Sequence, residues 1–348
     1  MSRRQALHIL GAVAGLGPIT RLAGPPASAV WTQGPRTTPA SSTAAIIRTI
    51  LGDVAPDRLT GPILFHEHLS LSRADGAPSF FNDVSLIADE VKACAQDGVS
   101  CIVDTGNAGL GRKIDALRAI ATRCGVHIVA SGGLYRKNFY PPDVSRKSAD
   151  QIADDLVALA ASERWGALGE IGTGTALPMD PDERKALQAV AKAQVRTGLP
   201  IITHVSDGCA QCALDQVDVL ETAGANLHRV VIGHLNDIED QPTAAPISIA
   251  KRGAFLGFDH SGRPDDPRGD EYVRTILAII DAGFADRICL SSDFGNAKYL
   301  RKNGGPGIDM TVNTFVPKLR RAGVPDRTLQ TILVDNPRRL LTFQPTSR

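Results

Sequence analysis

The sequence predicts a single (β/α)8 barrel, an α/β fold of eight parallel strands wrapped by helices, and three observations lead there. Eight short apolar runs recur near 63–65, 101–104, 127–130, 167–170, 201–204, 230–233, 254–258 and 288–290. They are apolar throughout and do not alternate, as parallel strands covered on both faces should be. Their spacing of roughly 25 to 40 residues leaves room for a helix and two loops between strands. The third observation is chemical. His66, His68, Glu170, His204, His234 and Asp293 each stand at the carboxyl end of a run. An ionisable side chain at the end of a buried strand costs free energy unless something compensates. The carboxyl ends of barrel strands are where such folds build active sites.

The chain opens on a segment that is not fold. Ser2-Arg3-Arg4-Gln5-Ala6-Leu7 is a twin-arginine pattern, an apolar stretch rich in Gly and Ala follows over 7–19, and Ala27-Ser28-Ala29 offers a small-residue cleavage site. That layout predicts an export signal over 1–29, and hence a periplasmic or secreted protein. The apolar stretch is too short and too weakly apolar to span a bilayer. Residues 30–45, rich in Thr, Ser, Pro and Ala, read as a linker, and 46–348 as the barrel.

Within the barrel the helices have readable ends. Asp180 before Pro181, with Glu183 three residues on, predicts an N-cap, a proline at the first helical position and a capping carboxylate. Leu187, Val190, Ala191 and Val195 continue as a helical stripe that Gly198 stops. A formal net charge of +1 and 5% aromatics give no case for nucleic acid or an acidic membrane surface. The six cysteines are Cys94, Cys101, Cys124, Cys209, Cys212 and Cys289. Cys94, Cys101, Cys124 and Cys289 sit in apolar patterns and read as buried small hydrophobes. Cys209 and Cys212 read as a local disulfide or two idle thiols, because no second cysteine pair completes a four-thiolate zinc site.

The six ionisable residues suit a pair of divalent cations. His66 and His68, two apart on a strand, point the same way and can grip one ion, while Glu67 points outward into the helical layer. Asp293, on the last strand, lies beside the first once the barrel closes and completes that ion's shell. His204 and His234 can grip a second ion, and Glu170 can place one oxygen on each. Imidazole and carboxylate donors suit zinc, with manganese or cobalt as alternatives, better than calcium. Two such ions sharing a bridging hydroxide would cleave an ester bond without a serine or cysteine nucleophile.

The segments Gly61-Pro62-Ile63-Leu64-Phe65-His66-Glu67-His68-Leu69, Gly198-Leu199-Pro200-Ile201-Ile202-Thr203-His204, Arg229-Val230-Val231-Ile232-Gly233-His234, Gly257-Phe258-Asp259-His260 and Leu290-Ser291-Ser292-Asp293 resemble the phosphotriesterase family of the amidohydrolase superfamily. The tail from Leu319-Arg320-Arg321-Ala322-Gly323-Val324-Pro325 to Asn336-Pro337-Arg338-Arg339-Leu340 fits as well. The best-known members bridge their metals with a carboxylated lysine. Glu170 in Gly169-Glu170-Ile171-Gly172 is similar to a branch that uses glutamate there, which also makes a single-ion site more plausible.

The resemblance implies a proton relay of Asp293, His260 and Asp237, and a substrate-facing Tyr135. It also implies a homodimer. Basic residues after the eighth strand hold a substrate phosphate in some relatives. Lys298, Tyr299 and Arg301 match that pattern imperfectly, since Asn296-Ala297 stands where the relatives place arginines. The expected activity is hydrolysis of a small lactone or carboxylic ester, with phosphotriester cleavage as a side activity. The alternatives are an amidase of the same superfamily and an exported metal-binding protein without activity.

Overall fold

A computed structural model of the chain describes residues 44–72, 79–206, 208–239 and 241–345. The export signal and nearly all of the linker lie outside the described residues. The eight strands form as expected: β1 Ile63–Glu67, β2 Cys101–Asp104, β3 His127–Gly132, β4 Ala167–Thr173, β5 Ile201–Val205, β6 Val230–Ile232, β7 Phe255–Phe258 and β8 Ile288–Leu290. All are parallel, and each pairs with the next in sequence. Helices α1 Val84–Gln96, α2 Ile114–Cys124, α3 Ala149–Glu163, α4 Pro181–Thr197, α5 Ala210–Thr222, α6 Ala244–Lys251 and α7 Gly269–Asp281 follow β1 to β7 in turn. Short helical segments between 311 and 341 close the layer after β8. Among the described residues no helix is long and apolar enough to cross a membrane.

The barrel encloses a packed core. Ile63, Phe65, Cys101, Val103, Val129, Ala167, Ile202, Val231, Phe255 and Cys289 form one buried cluster inside it. Leu64, Ile102 and Ile128, on the other strand faces, pack with Ile87, Val91, Leu117 and Ile120 of α1 and α2. Each such side chain contributes about 1.5–3 kcal/mol on burial. Burial also raises the thiols of Cys101 and Cys289, so they are inert hydrophobes. Cys209 and Cys212 are disulfide-bonded at the start of α5.

The barrel closes differently at its seam. No backbone ladder joins β1 to β8 among the described residues. Instead Ser291 Oγ accepts from His66 N at 2.9 Å, and His66 O accepts from Asp293 N at 3.2 Å. The Glu67 carboxyl completes the closure, accepting from Ser292 N at 2.9 Å and Phe294 N at 2.8 Å and meeting Ser292 Oγ at 2.8 Å. Glu67 does leave the barrel interior, as expected, but it clamps the first strand to the exit of the last.

Helix α4 confirms most of its reading and corrects two details. Asp180 accepts from Asp182 N at 2.8 Å, Pro181 opens the helix, and Gly198 ends it at φ 73°. Glu183 does not cap its own helix. It accepts from Gly174 N at 2.9 Å and Lys137 N at 3.3 Å, tying down the loops after β4 and β3. Val195 is 61% exposed and outside the stripe, which Leu187, Val190 and Ala191 carry.

Candidate metal centre

Local irregularities of the backbone aim the proposed ligands. Ile63 and Phe65 point into the barrel and Leu64 points out. Strict alternation would therefore send His66 outward. The β1–β2 register shifts between Leu64 and Glu67, and this turns His66 inward with His68. The same device serves Glu170. Strand β4 runs on to Thr173, so Glu170 is mid-strand and not at its end, and the register against β5 shifts between Leu168 and Ile171. Asp293 and His234 lie beyond the ends of β8 and β6 and take left-handed conformations, at φ 48° and 58°. Gly233 permits the turn to His234, because a Cβ there would lie 2.3 Å from Thr203 O.

All six side chains converge. His68 Nε2 lies 3.0 Å from Asp293 Oδ1 and 3.7 Å from Glu170 Oε2. His66 Nε2 lies 3.7 Å from both Glu170 Oε1 and Asp293 Oδ1. His234 Nε2 is 3.4 Å and His204 Nδ1 2.6 Å from Glu170 Oε1. Glu170 thus stands between the two histidine pairs. His66, His68 and Asp293 form one compact donor group, and His66, Glu170 and His234 another.

The donor set fits divalent cations. His66 Nε2 is buried and has no hydrogen-bond partner, although two carboxylates surround it just beyond bonding distance. A buried polar atom in that position is one a cation would satisfy. Electrostatics agree. Burial opposes the charge on Glu170, yet His204 and His66 hold its carboxyl well below the usual range. Burial likewise opposes charge on Asp293, but His260 and His68 keep it ionised.

Asp259, in the Gly257-Phe258-Asp259-His260 segment, has a role that the sequence pattern alone did not reveal. It is fully buried after β7, with Oδ1 2.8 Å from His234 Nδ1 and Oδ2 2.8 Å from His66 Nδ1. The first contact is a hydrogen bond, and Oδ1 also accepts from His234 N at 2.8 Å; the second is close but poorly aligned. One carboxylate therefore orients a histidine from each pair. The signal was available, since Asp259 also ends an apolar run and needs compensation there.

The expected relay residues are in line. His260 Nε2 lies 3.3 Å from Asp293 Oδ2, and His260 Nδ1 lies 3.1 Å from Asp237 Oδ1. Burial would lower the imidazole, but the hydrogen bonds to Asp237 and Asp293 raise it. Arg263, which sequence reasoning missed, donates to Asp293 Oδ2 at 2.8 Å and Asp293 O at 2.9 Å. It holds the left-handed turn and shares the oxygen that faces His260.

The Tyr135 ring stands edge-on to His204, centroids 5.0 Å apart. The residues of the loop after β8 that match the relatives' pattern are already partnered. Lys298 pairs with Asp265, Tyr299 donates to Asp265 Oδ1 at 2.7 Å, and Arg301 is bound by Asp97 and Asp309 at 2.8 and 2.6 Å.

Comparison with known proteins agrees with this architecture. An N-acetyltaurine hydrolase of Tetraodon nigroviridis is 28% identical, over 87% of this chain and 100% of its own. The crystal structure of a resiniferatoxin-binding protein from Rhodobacter sphaeroides superposes with a TM-score of 0.77 at 32% identity, over 85% of this chain and 94% of that one. The Escherichia coli phosphotriesterase homology protein, solved with phosphate in its active site, gives 0.74 at 27% identity, over 81% and 99%. The model of the phosphotriesterase family matches residues 45–341, and the chain belongs to that family.

Proposed function

We propose that the protein is a hydrolase of small carboxylic esters, lactones foremost, dependent on two divalent cations, zinc before manganese or cobalt. His66, His68 and Asp293 would hold one ion, His204 and His234 the other, and Glu170 would bridge them. The observation that carries this reading is the convergence of the four histidines on Glu170 and Asp293, with His66 Nε2 left unpartnered among them. When bound, the ions would activate water and polarise the substrate carbonyl. The remaining work falls to the chain itself. Asp293 Oδ2 accepts the proton that the attacking water gives up. His260 carries it toward Asp237 at the outer end of the relay. Arg263 keeps Asp293 turned toward that path, and the Tyr135 ring bounds the substrate on the His204 side.

A second reading is amide hydrolysis, favoured by the curated relatives named N-acetyltaurine hydrolase that match across their whole length. The same residues serve it, because His260 can return its proton to an amine leaving group. The deciding experiment is metal analysis of the purified protein, with lactone, aryl ester, N-acyl amide and phosphotriester assays before and after chelation. Activity lost on chelation and restored by zinc is expected. Chelator-insensitive activity overturns the metal reading, and tightly bound metal without turnover leaves a binding protein. The twin-arginine leader read from the sequence would place this chemistry outside the cytoplasm.

A further inference from the structure

We propose that Arg136 is a specificity residue that selects acyl substrates carrying an anionic group, a carboxylate or sulfonate, a few atoms from the bond that is cleaved. The inference rests on the hydrolase reading and adds the substrate's charge to it.

Arg136 follows Tyr135 in the loop after β3, at the end of the barrel that holds the ligand cluster. Its guanidinium carbon lies 5.0 Å from the Tyr135 ring centroid, and that centroid lies 5.0 Å from the His204 ring. The guanidinium is therefore no more than about 10 Å from a proposed metal ligand. That is the span of an acyl chain with about two to four carbons between carbonyl and anion.

The position is built. Gly172, on β4, donates its N–H to Tyr135 O at 2.7 Å, and a Cβ there would lie 2.7 Å from Arg136 Cγ. Only glycine leaves room for the arginine stem. Phe139 adds a second ring 5.8 Å from the guanidinium carbon. Nη1 donates to Ser206 Oγ at 3.2 Å, and Ser206, two residues past His204, is anchored by its own bond to Thr173 O at 2.7 Å. Rings and serine fix the guanidinium plane while leaving most of its donors uncommitted.

Charge accounting then separates this cation from its neighbours. Lys137 is bound by Asp180 at 2.7 Å, Arg268 by Asp237 and Asp266, both at 3.2 Å, and Arg263 by Asp293 at 2.8 Å. Lys298 is taken by Asp265. Arg136 makes no ion pair among the described residues, although it is only partly exposed. A planar guanidinium in such a setting is matched by a carboxylate or sulfonate that binds it through two oxygens.

The test compares 4-nitrophenyl hemisuccinate with 4-nitrophenyl butyrate, which have similar acyl chains and differ in charge. The full-length, metal-loaded protein should prefer the hemisuccinate in kcat/KM. Arg136→Gln should reduce that preference about 10- to 100-fold, through KM. Arg136→Lys should retain part of it, and Arg136→Glu should reverse it. Equal losses on both esters, or no preference in the parent protein, would overturn the proposal. Binding of 4-oxopentanoate against 2-pentanone, by calorimetry, needs no turnover. If neither ester nor amide is cleaved, the hydrolase reading fails separately, and this measurement decides. Tighter oxopentanoate binding that Arg136→Gln removes supports the anion site, and equal binding by parent and variant sinks it.

Discussion

The two histidine pairs meet at Glu170 but are held in different ways. On the seam side, His66 and His68 come from one strand, with side chains 0% and 8% exposed. They are backed by Asp259, by the Glu67 clamp and by an Asp293 that Arg263 fixes. On the other side, His204 and His234 come from separate strands. His204 is 12% exposed, presents Nδ1 to Glu170 and meets the ring of Tyr135. Protonation separates His204 from His68 and His234, since His234, like His68, is raised against its burial, by Asp259 and Glu170. Burial would lower His68, but Asp293, Glu170 and Asp104 raise it to about 9, whereas burial and the charge of His234 lower His204. The contrast is one of support, with the seam half anchored by the Glu67 clamp and by Arg263.

Asp293 belongs to the anchored half and to the proposed relay at once, so its loss should have the largest effect. Asparagine tolerates the left-handed backbone at φ 48° better than most residues, so Asp293→Asn isolates the chemistry. We expect kcat to fall about 10²- to 10⁴-fold while part of the metal stays bound. Turnover near the parent level would remove Asp293 from proton transfer.

Asp259 should break the contrast, because it touches both halves. Asp259→Asn removes the charge that orients His66 and His234, and metal affinity should fall about 10- to 100-fold for both ions together. Loss of one ion alone, measured by metal analysis against a graded chelator, would show that Asp259 serves a single pair.

Acidity tests both halves. His68, raised to about 9, is protonated at neutral pH in the metal-free protein and must release that proton to bind a cation. In the other half His204 is lowered, but His234 is raised well above an ordinary imidazole, by Asp259 and Glu170 against its burial, and also has a proton to release. Affinity of each ion should therefore weaken in acid, that of the seam ion about tenfold for each pH unit below about 9. Metal titrations from pH 6 to 9 in which either affinity stayed constant would contradict this.

The contrast also explains what the sequence could and could not reveal. Strand positions and the identities of all six clustered residues follow from apolar runs and the cost of burying charge. Their aim does not. Alternation would have turned His66 outward, and it was a register shift on β1 that brought it in. Glu170 needed a second shift on β4, and His234 and Asp293 needed left-handed turns. These are departures from strand geometry that depend on neighbouring strands, so a period-two reading cannot contain them. Asp259 and Arg263 were missed for a related reason. Their roles lie in contacts with residues 25 and 30 positions away. Glu183 shows the converse error, where a correct local motif lost its carboxylate to two distant loops.

Glu67 should have the smallest effect on turnover, and it tests how the seam holds. Burial pushes its carboxyl up to about 8, despite hydrogen bonds from Ser292 and Phe294. The local bonding agrees with a proton there. The Ser292 hydroxyl has one hydrogen and two facing acceptors, Glu67 Oε2 at 2.8 Å and Ile308 O at 2.9 Å. A protonated Glu67 donates to Ser292 Oγ, which then donates to Ile308 O, and both contacts are satisfied. Because the folded value lies above the 4.5 of a free glutamate, this group's contribution to stability is complete below about 4.5. It is lost as pH rises through about 8, by at most about 1.4 kcal/mol per unit. Glu67→Gln keeps a donor for Ser292 Oγ but turns an N–H toward Phe294 N, costing about 1–3 kcal/mol at pH 5. The amide does not titrate, so the stability gap between parent and variant should close and then reverse from pH 5 to pH 8. Denaturant unfolding of both proteins across that range measures it. Parallel curves would mean that Glu67 is ionised in the folded protein, and that the seam is held by a charge and not by a shared proton.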